Sequence, residues 1–319
     1  MQPYCIHNPF EPRDMAVVVN RKLLPDMGIG VQTRYKDPDA WLSRGNRHLF
    51  MAPWRGYTLI GVHSRVYQED PLKLRVSEQE VGAFLEEIND ACPALRVRRE
   101  DIAVVNAGLL PFGENDPQSE HLSFGKRSVL VNHGAAGGPR GVLSGMSVRW
   151  TMGRLLAEHA VDLALTMLGE APRPCRTRQL RVQGGDFPSR AQLYGAARSA
   201  LGAVPAAAVT HLADTFGTLW ADVAGVDEEH ELLPGCAVLE AEVRFAARHE
   251  MTHSLADIVL RRLDLGTGAP PEAQCLQACA RIAAEELGWT QAEREAQVGR
   301  VLASYPFAGP ESQQGRAGA

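Results

Sequence analysis

The chain has 319 residues, of which 45% are hydrophobic and 22% charged, with a formal net charge of -5. That length and balance suit a globular protein with room for two domains and exclude a broad basic surface for nucleic acid. The six cysteines form no CxxC pair, so neither a structural zinc framework nor a disulfide scaffold is indicated. The opening residues, MQPYCIHNPF, lack the basic start and apolar core of a signal peptide, and no apolar run is long enough to cross a bilayer. A cytoplasmic location is expected.

In chain order, residues 1–15 read as irregular because Pro3, Pro9 and Pro12 prevent a long helix. MAVVVN (15–20) and GIGVQT (28–33) are strand candidates. After a polar turn at 36–39 come strands at 48–51 and 57–62, joined through Pro53-Trp54-Arg55-Gly56. Strands in succession predict an antiparallel sheet. Residues 77–91 read as a helix, with Ser77 and Glu80 as a capping box and Val81, Phe84, Leu85 and Ile88 as its apolar stripe. DIAVV (101–105) is a strand, 113–120 a polar loop, and SVLVN (128–132) another strand.

Residues 141–168 read as strand, turn and helix. Gly145, Ser147 and Gly153 allow close backbone approach, and from Leu155 the apolar pattern is helical. Glu158, His159, Asp162 and Thr166 form one narrow polar strip, so this helix is expected to be mostly buried. A strand feeding such a helix is a common ligand site, because unbonded N–H groups gather at the helix start. The equal alternative is an ordinary connection. Residues 169–189, rich in Pro and Gly, read as a linker. Helices are predicted over 191–201, 206–223, 236–263 with a break, 271–287 and 291–304, and a disordered tail over 309–319.

His249-Glu250-Met251-Thr252-His253 matches HExxH on a predicted helix, the pattern that presents two zinc ligands and a glutamate base. No third ligand is signalled, and a helix with surface histidines is the ordinary account. Gly134 to Gly141 (GAAGGPRG) is neither a Walker loop nor GxGxxG, and reads as a connection rather than a phosphate cradle. Cys275 and Cys279 read as small buried hydrophobes. His63 and His133 stand at strand ends, where either a cleft or a backbone bond would suit them. Arg55 and Arg149 could each hold an anionic group or be solvated.

Several stretches together resemble one family. Pro53-Trp54-Arg55-Gly56-Tyr57-Thr58-Leu59-Ile60-Gly61 is similar to the PWRGxTLIGT segment of FAD-dependent glycerol-3-phosphate dehydrogenases. Residues 141–154 resemble that family's GLxSVxGxKxTTxR, followed by its AExAVDLAL helix at 157–165. Pro174-Cys175-Arg176-Thr177 with Gly184-Gly185-Asp186 resembles a PCRT…GGD linker. Residues 241–262 resemble the helical C-terminal domain, and Glu285-Glu286-Leu287-Gly288-Trp289 its ELGW motif. In the family the HExxH helix ordinarily carries REEM, which speaks against zinc.

The resemblance covers the later part of the family pattern, from about residue 16 to 305, and no GxGxxG unit stands in this chain. It implies an α+β fold: an antiparallel substrate-domain sheet with a partial FAD-domain strand and helix in 1–170, a linker at 171–189, and an all-α domain at 190–308. It implies oxidation of glycerol 3-phosphate or a related polyol to the ketone, with electrons passing to FAD and then to quinone at the inner-membrane periphery. The FAD half would come from a separate chain or a longer reading frame. By the same resemblance His63 and Arg149 are the catalytic candidates, Arg149, Trp150 and Thr151 the cofactor contacts, and Arg55 a substrate contact. Two departures bear on substrate. The family's KxTT is Arg149-Trp150-Thr151-Met152 here, and its GxRP is Gly108-Leu109-Leu110-Pro111, so Leu110 stands where many members carry a phosphate-binding arginine. The alternative is a relative without FAD that acts as a partner or binding protein.

Overall fold

The computed structural model describes residues 11–36, 46–67, 69–110, 128–147, 149–227 and 229–307. The polar loop at 113–120 and the tail at 309–319 lie outside the described residues.

Five strands form one antiparallel sheet: β1 (Glu11–Val19), β2 (Ile29–Lys36), β3 (Asn46–Trp54), β4 (Tyr57–Tyr67) and β5 (Ile102–Leu109), in the order β2-β3-β4-β1-β5. β1 begins earlier than expected, at Glu11. Pro12 is tolerated because it stands at the start of the strand with β4 on one side alone, the pairing with β5 beginning at Arg13. Alternation along β1 sorts its side chains between two cores. Met15, Val17 and Val19 are fully buried on one face, with Ile60 of β4. Helix α1 (Glu78–Ala91) covers that face through Val81, Phe84 and Ile88. Its start is fixed by the predicted capping box, in which Ser77 Oγ accepts from the Glu80 amide and Glu80 accepts from the Ser77 amide. Each of these apolar side chains contributes about 1.5–3 kcal/mol by burial.

Val18 and Val104 point to the opposite face and join a second core built from the C-terminal helices. These are α3 (Arg190–Ala200), α4 (Ala206–Phe216), α5 (Trp220–Ala224), α6 (Glu240–His249), α7 (Ala273–Leu287) and α8 (Gln291–Ala303), preceded by a hairpin-and-helix unit. In that unit β6 (Val129–Asn132) pairs with β7 (Leu143–Met146), and α2 (Gly153–Met167) lies on the pair. β7 starts two residues later than the sequence indicates. Gly141 takes a φ of 79° and still belongs to the turn.

The expected helix over 206–223 breaks at Gly217, φ 57°. A Cβ there would collide with the Gly184 carbonyl, and Thr218 N donates to that carbonyl over 2.9 Å. The predicted linker is thus pinned to the helices at Gly184. It is also held at its start, where Arg154 Nη1 donates to Thr177 Oγ1 over 3.1 Å. The helix expected over 236–263 is also divided. α6 ends at His249, Met251 takes a φ of 55°, and Asp257–Arg262 forms a π-helix.

Helix α2 departs most from its pattern. None of its residues is buried, although the apolar spacing predicts burial on nearly all sides. The cause is geometric: its main packing is on β6, β7 and the turn before it, and a two-stranded ribbon covers one side of a helix at most.

Candidate functional site

The segment between β7 and α2 is the best-formed candidate for a ligand edge. Ser147 Oγ accepts from the Arg149 amide over 3.3 Å, which aims the chain outward in an extended conformation. Residues Trp150–Met152 then make one 3-10 turn that leads into α2. Met152 is the N-cap and supplies no side-chain bond. The first amides of α2 are therefore without a side-chain acceptor, and the helix dipole places partial positive charge there. Arg149 and Thr151 are exposed beside them, and Trp150 is 97% exposed. Cationic charge, the positive end of the helix and an uncovered indole make a surface that suits the polar edge and flat face of an aromatic cofactor.

At the far end of α2 a cavity of about 420 Å³ lies between the helix and the glycine-rich 134–141 turn, lined by Asn132, Arg140, Leu143, Met167 and Leu168. The turn is ordered by its own backbone: Gly138 N donates to His133 O over 2.7 Å, and Gly137 and Gly141 take positive φ. His133 is buried with Nε2 2.8 Å from Ser144 Oγ, so this strand-end histidine serves the hairpin.

His63 lies on the α1 side of the sheet. It is 6% exposed, its ring is 5.1 Å from that of Phe84, and both ring nitrogens are occupied. Nδ1 faces Glu87 Oε2 at 3.3 Å and Arg47 Nη1 at 2.9 Å, and Arg65 Nε donates to Nε2 over 3.2 Å. Arg47 also pairs with Glu87 at 3.2 Å. The structure thus places His63 in a buried charge cluster beneath α1, whereas Arg149, Trp150 and Thr151 stand on the uncovered hairpin-and-helix unit. The two groups share none of these contacts.

Arg55 sits at the tip of the β3–β4 hairpin with φ 49°, half exposed, and stacks on Trp54. Its guanidinium pairs with Asp264, which also accepts from Thr267 Oγ1. Trp54 Nε1 donates to Thr267 Oγ1 over 3.1 Å. This hairpin therefore docks the sheet onto the segment between the π-helix and α7. A cavity of about 410 Å³ opens beside the clasp, lined among others by Val18, Leu59, Asn106, Thr267 and Tyr305. Asp264 and Thr267 carry no local sequence signal, since their partners Arg55 and Trp54 stand about two hundred residues earlier, and Tyr305 bonds the Gly266 carbonyl 39 residues back.

The HExxH residues do not share a helical face. α6 stops at His249, Glu250 is its C-cap with φ -115° and ψ 22°, and His253 lies beyond the left-handed Met251. Glu250 is pushed above the usual carboxylate range by burial. Among the described residues no group of three or more His, Cys, Asp or Glu side chains is arranged to hold a metal ion. No described helix is long and apolar enough to cross a membrane.

Comparison with known proteins follows this geography. Residues 175–294 match the family model described as the C-terminal domain of alpha-glycerophosphate oxidase. Over 271 residues the chain is 27% identical to the mitochondrial glycerol-3-phosphate dehydrogenase of Arabidopsis thaliana, covering 79% of this chain and 42% of the relative. It is 25% identical over 269 residues to the glycerol-3-phosphate dehydrogenase of Synechocystis, covering 79% and 46%. The glycerol-3-phosphate dehydrogenase of Bacillus halodurans, solved in complex with FAD, superposes with a TM-score of 0.68 at 22% identity, over 94% of this chain and 57% of that one. The fold is therefore that α+β arrangement of sheet and C-terminal helices. The chain spans less than half the length of these curated relatives.

Proposed function

We infer an activity from one premise: the chain belongs to the FAD-dependent glycerol-3-phosphate dehydrogenase family. We propose that it forms the substrate sheet, the flavin-facing turn and the helical domain of an oxidoreductase. That enzyme oxidises glycerol 3-phosphate or a related polyol to the ketone and passes the electrons to a quinone. The observation that carries this reading is the similarity to named glycerol-3-phosphate dehydrogenases along about four fifths of the chain.

FAD supplies the hydride acceptor when bound. This chain offers one edge of a site for it. Arg149 places positive charge beside the N-terminal end of α2, Thr151 adds a hydroxyl, and Trp150 supplies a flat apolar face for stacking. The contacts to the adenosine diphosphate are proposed to come from a separate chain or a longer reading frame. Arg55 is the substrate-side cation, and Asp264 holds its guanidinium at the hairpin tip. His63 is a positioning residue: its bonds to Glu87 and Arg65 tie β4 to α1 and fix the strand that carries the hairpin. The enzyme's membrane contact would be peripheral.

A second reading has its own support. Arg55 is already paired with Asp264, and Leu110 stands at the family's phosphate-arginine position, so the charge free to bind a phosphate is reduced. A non-catalytic relative without FAD, acting as a partner or binding protein, fits that. Co-expression with the part of the Bacillus halodurans enzyme that this chain does not cover separates the two. A yellow complex that reduces dye with glycerol 3-phosphate is expected. A stable complex with neither flavin nor turnover would overturn the catalytic reading.

A further inference from the structure

Three thiols meet between α6 and α7, and nothing in the proposed activity uses them. Cys236 lies in the turn before α6, where Leu232 and Leu239 form a bridge. Cys275 lies in the first turn of α7, and its Sγ is 3.7 Å from that of Cys236. Cys279 lies one helical turn further on and helps to push the Cys275 thiol up. The two α7 thiols are 3% and 0% exposed, whereas Cys236 is half-buried and reachable from solvent. The approach is held in register by Gly235, φ 75°, which packs so closely on the Glu272 carboxylate that a Cβ would collide with it. Glu272 is the N-cap of α7, so the turn carrying Cys236 is seated directly on the end of the helix that carries Cys275.

We propose that Cys236 and Cys275 form a reversible disulfide on exposure to a hydroperoxide, fastening the turn before α6 to the start of α7. A disulfide brings sulfurs to about 2.05 Å, so the pair has to close by roughly 1.7 Å. Side-chain rotation in the half-buried turn supplies that movement. The Cys236 thiolate attacks the peroxide, whose O–O bond breaks, giving a sulfenic acid and releasing one hydroxide. The Cys275 thiolate then displaces the sulfenic oxygen as a second hydroxide, and the S–S bond forms. The pair loses two electrons, the peroxide gains them, and the two thiol protons end in two waters. Their shared hydrogen bond and burial push the Cys236 thiol well up. On Cys275 the bond from Cys236 pulls down, but Cys279 and burial outweigh it and leave the thiol at about 12. Both thiols are thereby held protonated, so the first attack draws on the minor thiolate form and is slow, while the 3.7 Å approach of the two sulfurs favours closure once Cys236 is oxidised.

The test treats the whole chain with hydrogen peroxide, blocks free thiols with iodoacetamide and maps peptides by mass spectrometry without reduction. The expected product links the Cys236 and Cys275 peptides, about 2 Da below their summed mass, and reverts with dithiothreitol. It is absent from Cys236→Ser and retained in Cys279→Ala. The oxidised wild type unfolds at a higher temperature than the reduced one. The proposal is overturned if Cys236 is still alkylated once the exposed Cys175 has been oxidised, or if Cys275 is linked to Cys279 instead. The wild-type map decides the matter even if Cys236→Ser fails to fold.

Discussion

Trp54 Nε1 donates to Thr267 Oγ1 across 3.1 Å, joining residues that stand 213 apart in the chain. Around this bond the sheet and the C-terminal helices are locked. Arg55 pairs with Asp264, the Tyr57 ring fills the space that a Cβ at Gly268 would need, and Tyr305 donates to the Gly266 carbonyl over 2.8 Å. Thr267→Val removes two hydrogen bonds of a partly exposed hydroxyl, from Trp54 and to Asp264, each at the low end of the usual range, and should cost about 1 kcal/mol in all. Gly268→Ala should cost more, about 1–3 kcal/mol, because the tyrosine ring must move. Urea denaturation of both variants checks the order. Equal costs would mean that the glycine contact is soft.

Arg13 and Glu80 give the sheet face under α1 a pH dependence. Burial pushes the Glu80 carboxyl up, but bonds from Arg13 and Ser77 outweigh it and hold it at about 2. A folded-state value below the unfolded one stabilises the protein at neutral pH, and that stability is lost as pH falls from about 4.5 to about 2. The contribution is about 2–3 kcal/mol, since the carboxylate side chain is 18% exposed. Glu80→Gln should lower stability at pH 7 and flatten its decline between pH 4.5 and 2. An unchanged slope would place the acid sensitivity elsewhere.

The cluster under α1 predicts a larger loss. Glu87 is the carboxylate between His63 and Arg47, and it is 2% exposed. Glu87→Ala leaves the largely buried Arg47 guanidinium without its carboxylate and should cost about 3–5 kcal/mol. His63→Gln should cost less, because glutamine can still donate to Glu87. Thermal unfolding ranks the two, and the reverse order would mean that His63 contributes mainly by packing on Phe84.

Legibility in the sequence followed the range of the interactions. The capping box at Ser77 and Glu80 and the apolar stripe of α1 are local and stood plainly in the pattern. So did the antiparallel order, because successive strands need only short turns. A break within 236–263 was expected, but its place at Met251 and the π-helix after it were not. The break at Gly217 was hidden, since it answers the distant Gly184. The Arg55–Asp264 pair was hidden for the same reason. His63 reads as a strand-end residue in the sequence, whereas β4 runs on to Tyr67, and its side of the sheet is set by the register with Met15 and the position of Glu87.

At the candidate cofactor edge, function and stability should separate. Arg149 and Trp150 are exposed and support no core, so Arg149→Met and Trp150→Ala should change unfolding free energy by less than about 0.5 kcal/mol. In the complemented complex the same substitutions should weaken flavin retention, read as the ratio of flavin to protein absorbance after gel filtration. Retention equal to that of the parent in both variants would remove this turn from the site.

The last prediction concerns the unit that carries that turn. Helix α2 buries no residue, and Val161 and Leu168 on it are 58% and 75% exposed. Its neighbours are one two-stranded ribbon and one turn, which is less than an isolated ribbon needs for stability. The central strands β1 and β4, by contrast, lie between two cores. Local opening should therefore be far easier in residues 129–167 than in β1 and β4. Amide hydrogen exchange should show the ribbon and α2 exchanging orders of magnitude faster than those strands. The uncovered apolar face should also make the isolated chain self-associate as concentration rises. Adding the complementing part of a relative should slow exchange in α2 selectively and restore monodispersity. If α2 is as protected as β1 in the isolated chain at low concentration, the helix is stable without a cover, and the case for a missing neighbour on this face fails.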